Sequence, residues 1–208
     1  MTQNIETNIM FAVPAGCTLL PLEVCDIFKT LKGQEQINAS SDPKHYDVLV
    51  NHQYVKNDLT DIFTLWVNNT YGYEDQKWKM VTNWITDNPD GAAMIRHRHY
   101  NCMFSAVLYF DDIEDGQGNL HLESPLQYSD FYLSIGTNEP NIFSAREYTC
   151  PLEQGLILFF PSNLYHSYPK YKPKKYMRRR SFACNFAPIG KLGFVDSSLD
   201  TNLLQHDG

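Results

Sequence analysis

The chain has 208 residues, 43% of them hydrophobic and 20% charged, with a formal net charge of −7; this is the make-up of a folded globular protein and excludes wholesale disorder. No apolar run approaches the roughly 20 residues of a membrane span, and the opening Met-Thr-Gln-Asn-Ile-Glu has neither the basic nor the apolar region of a secretion signal. Five scattered cysteines (Cys17, Cys25, Cys102, Cys150, Cys184) form no Cys-x-x-Cys pair, which argues for free thiols and a cytoplasmic protein.

The length suits one domain over residues 1–208. A short lead-in has room for an edge strand at Ile9–Val13. Leu22, Val24, Cys25, Phe28 and Leu31 recur near helical spacing after Pro21, with Gly33 as a stop. A loop rich in Gly, Asn, Ser and Pro follows to Lys44, and Tyr46–Val50 reads as a short strand. Asn57 can cap a helix running to Tyr71, with Leu59, Ile62, Phe63, Trp66 and Val67 on one face and Gly72 closing it.

From Trp78 the pattern changes to short β-rich runs separated by turns: Trp78–Thr86, Met94–Asn101, Phe104–Phe110, Asn119–Glu123, Phe131–Ser134, Phe143–Thr149, Leu156–Phe160 and Arg179–Pro188. Two helices followed by about eight strands predict an α+β, mainly β chain built on an antiparallel sandwich or barrel. The expected organisation is a helical buttress over 1–76, a β core over 77–189 and a polar tail or surface strap over 190–208.

Charge is unevenly spread. Seven cations and no acid lie between Lys170 and Arg180, and without those seven the −7 of the whole chain becomes −14. A basic island on an acidic protein suits a local anion site and argues against general nucleic-acid affinity.

The residues with most chemical promise are the histidines. In Ile95-Arg-His-Arg-His-Tyr-Asn101, a strand would put His97, His99 and Asn101 on one side, as a pair of metal ligands in need of a third. His166 ends the run Gly155-Leu-Ile-Leu-Phe-Phe-Pro-Ser-Asn-Leu-Tyr-His166, where the next strand begins. Further on, Arg179, Ser181, Ala183 and Asn185 share one strand face, and Phe182, Cys184 and Phe186 the other, so one face suits an anion and the other suits packing. His121, near Glu123, reads as a strand-surface histidine, and Cys102 as a small packed residue without a base to activate it.

The order His97-x-His99, a strand ending in Tyr109, Gly118-x-Leu120, Phe160-Pro-Ser-x-Leu-x-His166 and Arg179-x-Ser181-x-x-x-Asn185 resembles the Fe(II)/2-oxoglutarate-dependent oxygenases. It is most similar to a poorly characterised microbial and phage branch that reads His-x-His-x-Asn where most relatives read His-x-Asp. The resemblance runs from about Trp84 to Phe186. It implies a double-stranded β-helix, a jelly-roll or cupin-like barrel, buttressed by the N-terminal helices. It also implies Fe(II) and 2-oxoglutarate as cofactors, and oxidation of an unreactive C–H bond coupled to decarboxylation of 2-oxoglutarate to succinate, as in a hydroxylase. Carried over by position, His97 and His166 match metal ligands and His99 stands where a carboxylate is usual. Arg179 and Ser181 match the pair that holds the far carboxylate of 2-oxoglutarate, Tyr109 matches an aromatic hydrogen-bonded to it, and Asn101 and Asn185 fall on the site-facing side.

Three ligand sets remain open: all three histidines; His97 and His166 with water; or a set completed by a later carboxylate such as Asp111. Two other functions compete. One is a three-histidine, cupin-like metal dioxygenase that does not use 2-oxoglutarate, since three imidazoles also suit other metals. The other is a jelly-roll binding protein without catalysis. The substrate, a small molecule or a polypeptide, would be anionic if the basic island rims the site; the oligomeric state is open, a homodimer included.

Overall fold

A computed structural model describes residues 12–33, 47–89, 92–113, 118–125, 139–142, 144–170 and 178–204. Two helices, α1 (Leu22–Thr30) and α2 (Gln53–Tyr71), precede a run of antiparallel strands. A five-stranded sheet has the order β1 (Gly16–Leu19), β7 (Leu156–Pro161), β4 (Phe104–Leu108), β9 (Arg179–Ile189), β2 (Lys77–Asn88). A four-stranded sheet has the order β3 (Met94–His97), β8 (His166–Tyr168), β5 (His121–Glu123), β6 (Glu147–Thr149). Two sheets with crossed-over strand order are the double-stranded β-helix that the family resemblance implied, within the antiparallel sandwich or barrel that the strand pattern predicted.

Alternation along the strands divides the interior in two. On β7, Ile157 and Phe159 join the cluster beneath the helices, whereas Leu156, Leu158 and Phe160 join a second cluster with Leu120, Leu122 and Leu164. The strand is buried on both faces, which is why its sequence is an unbroken apolar run. β9 splits similarly: Phe182, Cys184 and Phe186 are fully buried against the helix side. There Phe63 of α2 stacks on Phe186 (ring centroids 3.9 Å, 8° between planes) and Phe28 of α1 meets Phe182 at 4.6 Å.

α2 begins at Gln53, one turn before Asn57, because Val55 extends the buried stripe of Leu59, Phe63 and Val67. Gly72 ends it in the left-handed conformation (φ 68°), as expected. Gly16 is required in β1 for space: a Cβ there would lie 2.3 Å from the Trp66 indole nitrogen.

Several expectations are corrected. The edge strand forms at Gly16–Leu19 and pairs with β7, while Ala12 and Val13 lie outside any strand; residues 9–11 fall outside the described residues. In place of a strand over Tyr46–Val50, residues 48–50 form a turn after one parallel bridge, Asp47 to Asn83. The buried Asn83 amide accounts for it, since Oδ1 accepts from the Leu49 N–H at 3.0 Å and Nδ2 donates to Asp47 at 2.7 Å. The expected strand Phe131–Ser134 lies outside the described residues. In the C-terminal segment, β10 (Lys191–Leu192) and β11 (Leu199–Asp200) pair as a small hairpin. All five cysteines are free. Among the described residues no helix is long and apolar enough to cross a membrane.

Candidate active site

The site lies between the two sheets. β3 and β8 run antiparallel with His97 opposite His166, so both rings stand on one face with centroids 4.2 Å apart. β3 ends at His97. His99 follows two residues beyond the strand, fixed by its N–H to the Ser162 carbonyl (3.0 Å), and its ring lies 5.3 Å from His97 and 5.0 Å from His166. One nitrogen from each of the three histidines falls within 4.8 Å of the other two.

The backbone sets two of the tautomers. His97 Nδ1 lies 2.9 Å from the Ile95 carbonyl, and His166 Nδ1 lies 3.0 Å from the Leu164 carbonyl. A carbonyl can only accept, so each Nδ1 carries the proton and each Nε2 keeps a lone pair. His99 Nε2 approaches His166 Nε2 to 3.2 Å. Two imidazole nitrogens, each about 2.1 Å from one ion in neighbouring positions, would stand about 3 Å apart, so the donor set fits a metal. Burial, then the charges of His97 and His99, push His166 down to about 3; burial and His97, partly offset by Asn185, push His99 down to about 4. At neutral pH both are uncharged and able to donate a lone pair. Trp84 stacks on His99 (5.6 Å, 20°) and Phe160 meets His166 edge-on (5.1 Å).

Arg179, at the start of β9, lines the same pocket and is only 4% exposed. Its Nε donates to the Gly118 carbonyl at 3.4 Å, and its guanidinium lies 3.8 Å from the centre of the Tyr168 ring and 5.6 Å from that of Tyr109. The Tyr109 hydroxyl is buried with no hydrogen-bond partner among the described residues, and burial pushes it up to about 12 despite the neighbouring guanidinium. A buried cation beside an orphaned phenol is a fit receptor for a carboxylate.

Of the residues singled out in the sequence, His97, His99, His166, Arg179 and Ser181 line this one pocket, and Tyr109 stands beside Arg179. Asn185 accepts from Ser105 Oγ (2.8 Å) and donates to Thr82 Oγ1 (2.9 Å). Asn101 is a correction: it is exposed, in the left-handed region at φ 59°, and outside the pocket lining. The alternation that would carry it inward stops with β3, and asparagine tolerates the left-handed turn that follows.

Asp111 is not part of the histidine cluster; its carboxylate lies 3.6 Å from Arg180. In the basic island, Arg178 binds Asp87, and Arg180 reaches Asp87, Asp111 and the Leu31 carbonyl (2.9 Å) just beyond α1. These two cations thus tie strands to a helix end, while Lys172, Lys174 and Lys175 fall outside the described residues. His121 sits 3.4 Å from Glu147 on the strand surface, as expected. Sequence reading overlooked Tyr168 as a pocket residue, although its spacing of two from His166 on a strand would have placed it there.

No curated protein matches the sequence. Among solved structures, a Pseudomonas putida prolyl-4-hydroxylase is similar at 15% identity, over 84% of this chain and 85% of the hydroxylase, with a TM-score of 0.51. HygX from Streptomyces hygroscopicus, crystallised with nickel, 2-oxoglutarate and hygromycin B, is similar at 12% identity over 85% and 83% of the two chains, with a TM-score of 0.53. Both likenesses carry the fold. A family model described as "Putative 2OG-Fe(II) oxygenase" matches residues 82–185, half of the chain, from β2 through the histidines to Asn185. The chain therefore belongs to the 2OG-Fe(II) oxygenases, the enzymes that work with Fe(II) and 2-oxoglutarate.

Proposed function

We propose that the protein is a hydroxylase in which His97, His99 and His166 hold Fe(II), and Arg179, with Ser181 and Tyr109, receives the far carboxylate of 2-oxoglutarate. The observation that carries this reading is one pocket lined by three clustered imidazoles and a buried guanidinium. Bound there, Fe(II) and 2-oxoglutarate supply the activation of O₂, coupled to loss of CO₂ and formation of succinate, that oxidises a C–H bond.

The chain's own residues bind and orient. The Ile95 and Leu164 carbonyls keep two imidazoles in the ligating tautomer. Arg179 offers a planar fork matched to a carboxylate, and the Tyr109 hydroxyl adds a donor whose own proton stays in place at neutral pH. Trp84, Val107, Leu120 and Phe160 wall the pocket with apolar surface and exclude water. A third neutral imidazole in place of a carboxylate leaves the site one charge more positive, which favours an anionic cosubstrate.

The test is anaerobic. Protein loaded with Fe(II) and titrated with 2-oxoglutarate is expected to give a weak visible charge-transfer band, and on admitting O₂ to release succinate. Arg179→Ala is expected to lose both while still binding Fe(II). A titration without a band and without succinate would point instead to a three-histidine dioxygenase that does without 2-oxoglutarate, whereas succinate release that survives Arg179→Ala would remove Arg179 as the carboxylate anchor.

A further inference from the structure

β8 carries two buried side chains on one face: His166 and, two residues on, Tyr168, which are 2% and 1% exposed. Both line the pocket, with about 7 Å of strand between their Cα atoms. The Tyr168 ring lies flush with the Arg179 guanidinium at 3.8 Å, and its hydroxyl accepts a hydrogen bond from Asn88 Nδ2. Asn88 is fully buried and stands directly opposite Arg179 in the β2–β9 register. The ring is therefore held at both ends, by the backbone of β8 and by an amide fixed on β2. The other aromatic neighbour, Tyr109, is farther from the guanidinium, at 5.6 Å.

A long arginine side chain reaches a fixed position only if something removes its freedom, and the face of a phenol ring in a water-poor pocket attracts a guanidinium and orients its plane. We propose that Tyr168 is a positioning residue, the platform that sets the Arg179 guanidinium relative to the three-histidine cluster. The strand that supplies one nitrogen of the cluster then also sets where the far carboxylate of a 2-oxo dicarboxylic acid is received. This rests on the assignment of Arg179 as the carboxylate anchor. It requires cosubstrate affinity to depend on the Tyr168 ring, and Fe(II) affinity not to.

Binding measurements test this without turnover. Metal-free protein is titrated anaerobically with Fe(II), and Fe(II)-loaded protein with 2-oxoglutarate, for wild type, Tyr168→Leu and Tyr168→Phe. Tyr168→Leu is expected to weaken 2-oxoglutarate about tenfold, the scale of a desolvated cation–ring contact, and to leave Fe(II) affinity unchanged. Tyr168→Phe keeps the ring face and is expected to stay within about threefold of wild type. Wild-type affinity in Tyr168→Leu overturns the proposal, as does a loss of Fe(II) affinity equal to the loss of 2-oxoglutarate. If Tyr168→Leu does not fold, Tyr168→Phe decides alone, because a tenfold loss there would mean that the hydroxyl, and not the ring, does the holding. Failure of the wild type itself to bind 2-oxoglutarate would remove the carboxylate-anchor assignment, a different outcome from any of these.

Discussion

The two sides of the five-stranded sheet are made from the same strands and differ in what they bury. Toward the helices, Phe28, Phe63, Trp78, Phe104, Phe182 and Phe186 pack ring on ring, and the one polar atom of Trp78 is satisfied by Asn68 at 2.9 Å. Toward the four-stranded sheet, the same depth holds Arg179, Ser181, Asn185 and Ser105, faced by His166 of β8, all under 9% exposed. Burying an apolar ring favours folding, whereas burying a polar or charged group costs free energy unless it is partnered. Period-two alternation in β9 therefore separates a cohesive face from a face that holds its polar groups ready for a ligand.

The sharpest way to break that division is His166→Ala. Removing one of three clustered imidazoles is expected to abolish stoichiometric Fe(II) binding, a loss beyond the roughly 100-fold that follows removal of a mere supporting group. The thermal midpoint of the metal-free protein is expected to move far less, since the side chain lost is a buried polar group whose main favourable contact is one backbone carbonyl. Anaerobic metal analysis beside a melting curve checks both. A midpoint that collapses with the binding would show the pocket side to be as cohesive as the helix side.

Phe63→Ala should do the reverse. Its ring touches Trp66, Trp78, Phe104, Phe159 and Phe186 and is fully buried, so truncation is expected to cost about 3–5 kcal/mol of stability. The fraction that remains folded should bind Fe(II) with wild-type affinity. Denaturant unfolding and metal titration at low temperature separate the two effects, and a change in affinity of the folded fraction would mean that the helix side also tunes the site.

That same alternation decides what the sequence disclosed. His166, Arg179, Ser181 and the opposed Phe182, Cys184 and Phe186 were legible because β8 and β9 are regular where those residues lie. Asn101 was misplaced because the chain leaves the strand at His97, and a left-handed residue has no period to extrapolate. The edge strand was expected too early in the chain because the residues of β1 are mostly exposed and lack an apolar rhythm. The tie from Arg180 to Asp87 was equally hidden, as the two are opposite only through the β2–β9 register, a pairing of residues far apart in the chain. Alternation within a strand can be read locally; the partner across a sheet cannot.

The smallest expected effect bears most directly on why the pocket side tolerates its polar groups. Tyr109→Phe deletes a buried hydroxyl with no hydrogen-bond partner among the described residues. An unsatisfied buried polar group costs about 1–3 kcal/mol, so its removal is expected to leave the ligand-free protein as stable as before, or more stable by about 1 kcal/mol. If that hydroxyl instead serves a carboxylate held by Arg179, the gain reverses once the ligand is present, and 2-oxoglutarate affinity is expected to fall about tenfold, the value of a hydrogen bond to a charged group. Opposite signs in the two states, measured as melting midpoints with and without saturating 2-oxoglutarate and Fe(II), would mark Tyr109 as a group buried at a cost in the free protein for the sake of the bound one. A variant destabilised equally in both states would place Tyr109 with Phe63, as part of the packing and not of the receptor.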